Sequence, residues 1–390
     1  MEPIVDNQCD AVIVGAGPAG AYLGYLLARQ GVEVTIIDKQ AFPRDKVCGG
    51  GVSRKAMALL EFDLGPVIQR SMRGAVLTYG NRSATVKDIT PSAGCTVLRR
   101  EFDQFLLDKA RAEGARFLPA TAFVNGCDDG GSFVVATSHG DMRCRSLFGA
   151  DGANSAVREK MFGKRLVEYV PSLEALVYLD ASALDQLGER AVFDFAGVPN
   201  GYGWIFPKRD HANVGVYSPF GGSALRRRLE SFISGYAVLA QPRRIDYRGA
   251  VIPLRNRRDE YRRGRVMLLG DAAGLTEAVF GEGIYFALKS ATLAAQAVAE
   301  RGLDGAGVRY AELVERHLRP ELRAARRMAA LIYRFPNLAF RHLVLNDRVN
   351  DDFAGLISGA MSYRRCLART LLGFPRWLMP AQPRVPMLSL

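Results

Sequence analysis

The stretch AVIVGAGPAGAYLGYLLARQGVEVTIID, Ala11 to Asp38, decides how the rest of this 390-residue chain is read. Four apolar residues, Ala11 to Val14, run into a glycine-rich turn and predict a buried strand. Leu23, Leu26 and Leu27 then recur on one helical face, and Gly31 supplies the stop. VEVTIID follows as a second strand. Gly15, Gly17 and Gly20 stand in G-x-G-x-x-G between a strand and a helix, the one context that gives the pattern meaning. The first glycine permits a tight turn and the second lets backbone approach a pyrophosphate. The third lets helix and strand pack closely, with the helix N-terminus facing the anion. Asp38 ends the second strand eighteen residues after Gly20, placed to accept from ribose hydroxyls. A purely structural glycine turn is the plainer reading, and it leaves that acid without a purpose.

Composition bounds what surrounds this unit. The hydrophobic share of 48% and charged share of 24% are those of a globular protein, and the length suits two or three cores. Six scattered cysteines lack CxxC or metal-ligand spacing, which fits a reducing cytoplasm better than a disulfide framework. No basic stretch followed by an apolar run opens the chain, and no run of about twenty apolar residues exists to span a bilayer. The expectation is a cytoplasmic protein, at most peripheral at a membrane. The net charge is +12, and residues 300–390 hold fifteen arginines and no lysine against eight acidic residues. Without a helix-turn-helix, zinc-finger or RNA-binding signature, nucleic acid is not expected. Anionic lipid heads or an acidic electron carrier suit a basic excess gathered at one end.

Two distant segments separate FAD from NAD. SLFGADGANSAVRE, Ser146 to Glu159, ends a strand in a turn built on Asp151, Gly152 and Asn154, with Ser155 as the helix N-cap. VMLLGDAAGLTEAVFGEGIYFALKSATLAAQAV, Val266 to Val298, ends a buried strand in Gly270-Asp271 and starts a long helix near Gly283. Asp271 is placed for a ribitol hydroxyl, and the helix beyond Gly281 and Gly283 points its N-terminus at a flavin edge.

GAGPAG, GADGANS and LLGDAAG in this order, with LRREFD between the first two, resemble the FAD-dependent oxidoreductases of the aromatic-hydroxylase fold. PRDKVCGGG, GYGWIFPKRDHANVGV, GAVIPL, GEGIYFALKSA and the C-terminal MSYRRCLARTLLG together resemble the geranylgeranyl reductase family, whose members saturate isoprenoid double bonds. The resemblance implies an α/β fold: a Rossmann-like FAD-binding domain, an antiparallel β-sheet substrate domain and a C-terminal helical region. It implies that Arg99 contacts the cofactor from its helix and that Asp151 and Asp271 lie near pyrophosphate and ribitol. It also assigns Ala19, Lys39, Arg44, Gly49, Gly50, Gly152 and Ile284 to the cofactor's surroundings. One departure stands out, because the family often ends this block with G-x-G where this chain has Gly215-Val216-Tyr217. A tyrosine there would reshape the substrate chamber.

Tyr202, Trp204 and Phe206 alternate at strand period and share one face. Such a face is ordinary core, or, above a flavin, the apolar wall of a hydrocarbon pocket that Gly51 and Tyr217 would also line. Cys48 is either a small buried apolar residue or a proton donor or substrate-positioning group beside the flavin. The three glycines after it read as clearance for the isoalloxazine and the bound chain. His211, in KRDHAN, reads as a solvated residue in a hairpin turn, and His139, His317 and His342 have no partners suggesting metal or triad chemistry.

Residues 1–75, 96–165 and 262–310 read as a discontinuous FAD-binding domain. Residues 76–95 and 166–261, rich in alternation, read as an antiparallel sheet roofing the flavin. Residues 311–390 read as helical, punctuated by Pro320, Pro336, Pro375 and Pro380. In YRRCLARTLLGFPRWLM, Arg364, Arg365, Arg369 and Arg376 mix with Leu367, Leu371, Leu372, Trp377 and Leu378. Such a helix docks on the core or lies on an anionic membrane.

The expected activity is a flavin-dependent prenyl reductase, with hydride from reduced FAD to one alkene carbon and a proton to the other. With one dinucleotide fingerprint, electrons come from visiting NAD(P)H or from a reduced ferredoxin whose docking on the basic surface is salt-sensitive. Flavin monooxygenases and halogenases are the rival class, since the FPR segment and the W-containing block are similar to halogenases. A non-catalytic flavoprotein that binds lipid or a partner is the third.

Overall fold

The computed structural model describes residues 8–80, 84–163, 167–195, 198–219, 224–339 and 347–372. The opening stretch forms the strand Ala11–Val14, the helix Pro18–Arg29 and the strand Val34–Ile37. Pro18 sits in the first helical turn, where a missing N–H costs nothing. These strands belong to a six-stranded sheet in the order Arg262–Arg263, Val266–Leu268, Ser146–Gly149, Ala11–Val14, Val34–Ile37, Arg116–Leu118. All its pairings are parallel except that of the edge strand Arg262–Arg263.

Register places the site. Val14 lies opposite both Ile37 and Gly149, so Gly15, Asp38 and Ala150 leave the sheet at one level. The strand order turns back at Ala11–Val14, and such a switch point opens a crevice beyond the carboxyl ends. The Pro18–Arg29 helix packs between the helices Arg99–Ala112 and Ile284–His317. The last of these is one helix only to Gly302, whose φ of 62° and ψ of 173° break it.

A seven-stranded sheet runs Arg244–Asn256, Val167–Tyr178, His211–Tyr217, Tyr202–Pro207, Arg190–Asp194, Gly74–Thr78, Ala84–Asp88. It is antiparallel except for Arg190–Asp194 with Gly74–Thr78, which pair in parallel because the latter enters from an earlier, separate stretch of chain. Period-two alternation gives it two working faces. Ala175, Val177, Ile205, Val214 and Val216 form a core under the helix Leu225–Ser234. Phe193, Tyr202, Trp204 and Tyr217 point the other way into the main core, so the three alternating residues of the WIFP strand do share a face. Small antiparallel sheets, Gly51–Ser53 with Gly94–Val97 and Ile68–Met72, and Phe123–Cys144, complete the β-structure.

The helices Arg319–Arg334, Asp347–Ser358 and Tyr363–Leu372 follow. The last buries Tyr363, Cys366 and Leu367 and packs on Arg319–Arg334, leaving Leu371 and Leu372 exposed. Of the tail singled out by sequence, Arg376, Trp377 and Leu378 lie outside the described residues. Among the described residues no helix is long and apolar enough to cross a membrane.

Candidate active site

A cavity of about 610 Å³ lies between the carboxyl edge of the parallel sheet and the aromatic face of the seven-stranded one. Every residue assigned to the site from sequence lines it except Gly20. Gly20 acts one layer back: a Cβ there would stand 1.8 Å from the carbonyl oxygen of Gly15, so the helix could not seat on its strand.

The parallel-sheet end is built mainly from backbone. The turn at Gly15, Gly17 and Ala19 presents the N-terminus of the Pro18–Arg29 helix to the cavity. Asp38 is held at its strand end by the N–H groups of Ala16 and Gln40, each at 2.9 Å, and Lys39 continues the wall. Arg44 and Arg99 converge on one buried carboxylate, Asp103. Arg99 forms a two-pronged pair at 2.7 and 2.8 Å, and Arg44 reaches it at 3.1 Å. Two guanidinium groups on one carboxylate leave net positive charge beside the glycine turn. That Arg44 nitrogen, Nη1, is buried and meets Asp103 as an ion pair without hydrogen-bond geometry. Asp151 lines the wall, but its carboxylate takes Ser155 and the N–H groups of Ala156 and Val157, so it fixes the turn and does not reach outward. Ser155 caps that helix through the Arg158 N–H at 2.9 Å, as its position in the sequence implies. Asp271 accepts from Thr276 at 3.0 Å and also faces Gly283.

The Cys48 turn corrects one reading. The room at its glycines is taken by protein. A Cβ at Gly49 or Gly51 would stand 3.1 Å from the Phe206 ring, and one at Gly50 would stand 2.2 Å from the Val97 carbonyl oxygen. The glycines therefore let the turn pass under the aromatic strand. Lys208, fully buried, locks it there by donating to the carbonyls of Gly49 at 2.8 Å and Val97 at 2.9 Å. Burial pulls its ammonium down to about 8. Cys48 is half-buried, its Sγ accepts from the Gly50 N–H at 3.4 Å, and the Arg99 guanidinium faces the sulfur.

The segment before Gly281 and Gly283 is held on both sides. Glu277, wholly buried, accepts from the N–H groups of Val279, Phe280 and Glu282. Burial outweighs those donors and pushes its carboxyl up to about 7. Three tyrosine hydroxyls from three elements donate to consecutive carbonyls: Tyr217 to Ala278 at 3.2 Å, Tyr333 to Val279 and Tyr202 to Phe280. Tyr217, the departure from the family pattern, thus both narrows the chamber and ties down the loop that carries Gly281 and Ile284.

His211 is not the solvated turn residue its surroundings suggest. It is buried at the start of its strand, bonded to Asp210 at 2.7 Å, and burial lowers its basicity. The hairpin turn before it is short enough to drop the side chain onto the sheet face. It does not line the cavity.

Sequence reasoning missed Glu174, Asn213, Lys208, Glu277 and Tyr333. Glu174 is the one with a local signal, an acid at a buried, period-two position inside VEYVPSLEALVY. It lines the cavity, only 4% exposed, with the Asn213 side chain and the Cys48 N–H facing its carboxyl. Tyr333 comes from a helix far along the chain, and nothing local marks it.

These features fit FAD. The glycine turn with its surplus guanidinium suits a pyrophosphate, Asp38 a ribose, Asp271 a ribitol chain, and the loop at Gly281–Gly283 the ring edge. The FAD binding domain family matches residues 8–191. The menaquinone reductase of Mycobacterium tuberculosis is 33% identical over 331 residues, covering 77% of this chain and 78% of that one. The chloroplastic geranylgeranyl diphosphate reductase of Oryza sativa is 30% identical over 328 residues, 75% of this chain and 67% of that one. Among solved structures, a geranylgeranyl bacteriochlorophyll reductase-like protein of Thermoplasma acidophilum superposes with a TM-score of 0.73 at 19% identity, over 95% of this chain and 98% of that one. A flavin-dependent brominase superposes with the same TM-score at 18% identity, over 95% and 99%, so the fold is shared with halogenases. Sequence and site together give one conclusion: the chain belongs to the geranylgeranyl reductase family of FAD-dependent oxidoreductases.

Proposed function

We propose that this reductase saturates isoprenoid C=C bonds in the tail of a prenyl lipid, quinone or diphosphate. The observation that carries this is the chemistry of the aromatic wall. Phe193, Tyr202, Trp204 and Phe206 face the cavity, yet the polar atoms among them are already spent on protein. The Tyr202 hydroxyl is bound to Phe280, that of Tyr217 to Ala278, and the Trp204 indole N–H to Asn213 at 2.8 Å. These aromatic residues offer a ligand area and no free hydrogen bond. A hydrocarbon is the ligand that loses nothing there, gaining about 25 cal/mol per Å² of apolar surface buried.

FAD, when bound and reduced by NAD(P)H or by a ferredoxin-type carrier, would supply hydride to one alkene carbon. The chain's residues hold the tail against that site and keep water out. In this reading Cys48, at the junction of turn and wall, positions the reacting bond. Discrimination by an apolar wall is about 1–3 kcal/mol per methylene, so tails of several lengths should be accepted.

The test is anaerobic. Photoreduced protein is offered geranylgeranyl diphosphate, a prenylated quinone and an unsaturated archaeal-type lipid, and flavin reoxidation is followed beside product mass. Reoxidation with a gain of two hydrogens is expected. Flavin that stays reduced until oxygen enters, with products that then gain oxygen, would replace this reading by the monooxygenase one.

A further inference from the structure

Alkene reduction needs a proton as well as a hydride, and the sheet end of the cavity has few groups able to give one. Tyr202 and Tyr217 have their O–H groups committed to carbonyls. Lys55 and Glu282 are paired with each other at 2.6 Å, and Glu282 also accepts from Ser53. Cys48, Cys95 and Glu174 remain, and burial pushes the Cys95 thiol up to about 12, which makes it the poorest proton donor of the three.

Glu174 stands at the end of a polar row laid across the aromatic face. Trp204, Asn213 and Glu174 sit on three adjacent strands, all on the cavity side. The Trp204 indole N–H donates to Asn213 Oδ1 at 2.8 Å, which turns the Asn213 amide N–H groups toward Glu174. Arg248 lies directly across from Glu174 on the opposite neighbouring strand, Lys208 approaches from the hairpin turn, and the Cys48 N–H comes from the glycine turn. Gly215, opposite Glu174 on the third side, has no side chain, and the Trp204 ring covers it.

We propose that Glu174 is the acid that supplies the proton for the reduction, an inference that rests on the prenyl-reductase reading. One C–H bond forms with the hydride that reduced flavin provides and the π bond breaks. The Glu174 O–H then gives its proton to the other carbon, leaving a carboxylate. That anion is met by the Asn213 amide, the Cys48 N–H and the charges of Lys208 and Arg248, and solvent at the cavity mouth returns the proton. The site supports both states of the group. Burial raises its proton affinity, while the surrounding donors receive the charge once it forms.

The experiment uses FAD-loaded protein with Glu174→Gln and Glu174→Asp. Glu174→Gln should keep the bound-flavin spectrum and the melting temperature, and slow single-turnover prenyl reduction by about 100-fold or more, with Glu174→Asp recovering part. The wild-type rate should fall as pH rises through the Glu174 titration, and the residual Glu174→Gln rate should not. Infrared spectra in mildly acidic heavy water, where surface carboxyls are ionised, should show, beside the band of buried Glu277, a second protonated-carboxyl component in wild type that Glu174→Gln lacks, with or without substrate. An active wild type matched by an equally active Glu174→Gln, or the absence of that second component, overturns the proposal. A wild type that reduces no prenyl bond under these conditions fails the parent reading, a result distinct from either.

Discussion

The two ends of the cavity are built by opposite means. At the parallel sheet the site is made of backbone: a glycine turn, a helix N-terminus, and carboxylates fixed by backbone N–H groups. At the seven-stranded sheet it is made of side chains delivered from far apart. Lys208 grips Gly49 and Val97, Tyr333 grips Val279, and Glu174 meets Cys48. A backbone site tolerates no added atom, whereas a side-chain site can lose one member and keep its shape. The lesson is that the first end should fail abruptly and the second by degrees.

The sharpest way to break that contrast is Gly20→Val. Its Cβ would lie 1.8 Å from the Gly15 carbonyl oxygen, so helix and strand must separate. We expect a cost at or beyond the ~3 kcal/mol upper range of overpacking, and protein isolated without flavin. The flavin-to-protein absorbance ratio and the melting temperature report it. Stoichiometric FAD in that variant would defeat the contrast.

Lys208→Met should come next, losing about 2–4 kcal/mol because the Gly49 and Val97 carbonyls keep their burial and lose their donor. It also has a pH signature. Folded Lys208 titrates at about 8 against 10.5 for the ordinary side chain, so between those values the unfolded chain binds the extra proton. Wild-type stability therefore rises with pH across that window relative to the variant. Urea midpoints at either end of it measure the change; a constant difference would show that the folded ammonium is not depressed.

The smallest effect is Tyr333→Phe, which removes one of three hydroxyl grips and should cost about 1 kcal/mol while FAD stays bound. Removing the Tyr202 and Tyr217 hydroxyls as well should loosen the 277–283 loop and raise the KM for prenyl substrate more than it lowers kcat. Thermal unfolding and steady-state kinetics separate the two effects, and a triple variant with unchanged KM would make the clamp purely structural.

Where sequence reading faltered, it did so for one reason. Three glycines after Cys48 announce close approach, but not what approaches, and the neighbour proves to be the Phe206 ring with Lys208. His211 sits among charged residues in the chain, yet the strand it begins turns it inward.

The sequence by itself determined the dinucleotide turn, the Asp38 and Asp271 strand ends and the aromatic alternation of Tyr202, Trp204 and Phe206. Each is a local pattern whose partners lie within one strand–turn–helix or one strand period. Only the tertiary structure decided that Glu174 would face Cys48, that Lys208 would clamp its turn and that three tyrosines would hold one loop. Those pairings join residues more than fifty positions apart, and no local periodicity specifies which buried polar groups will satisfy one another when two sheets close over a cavity.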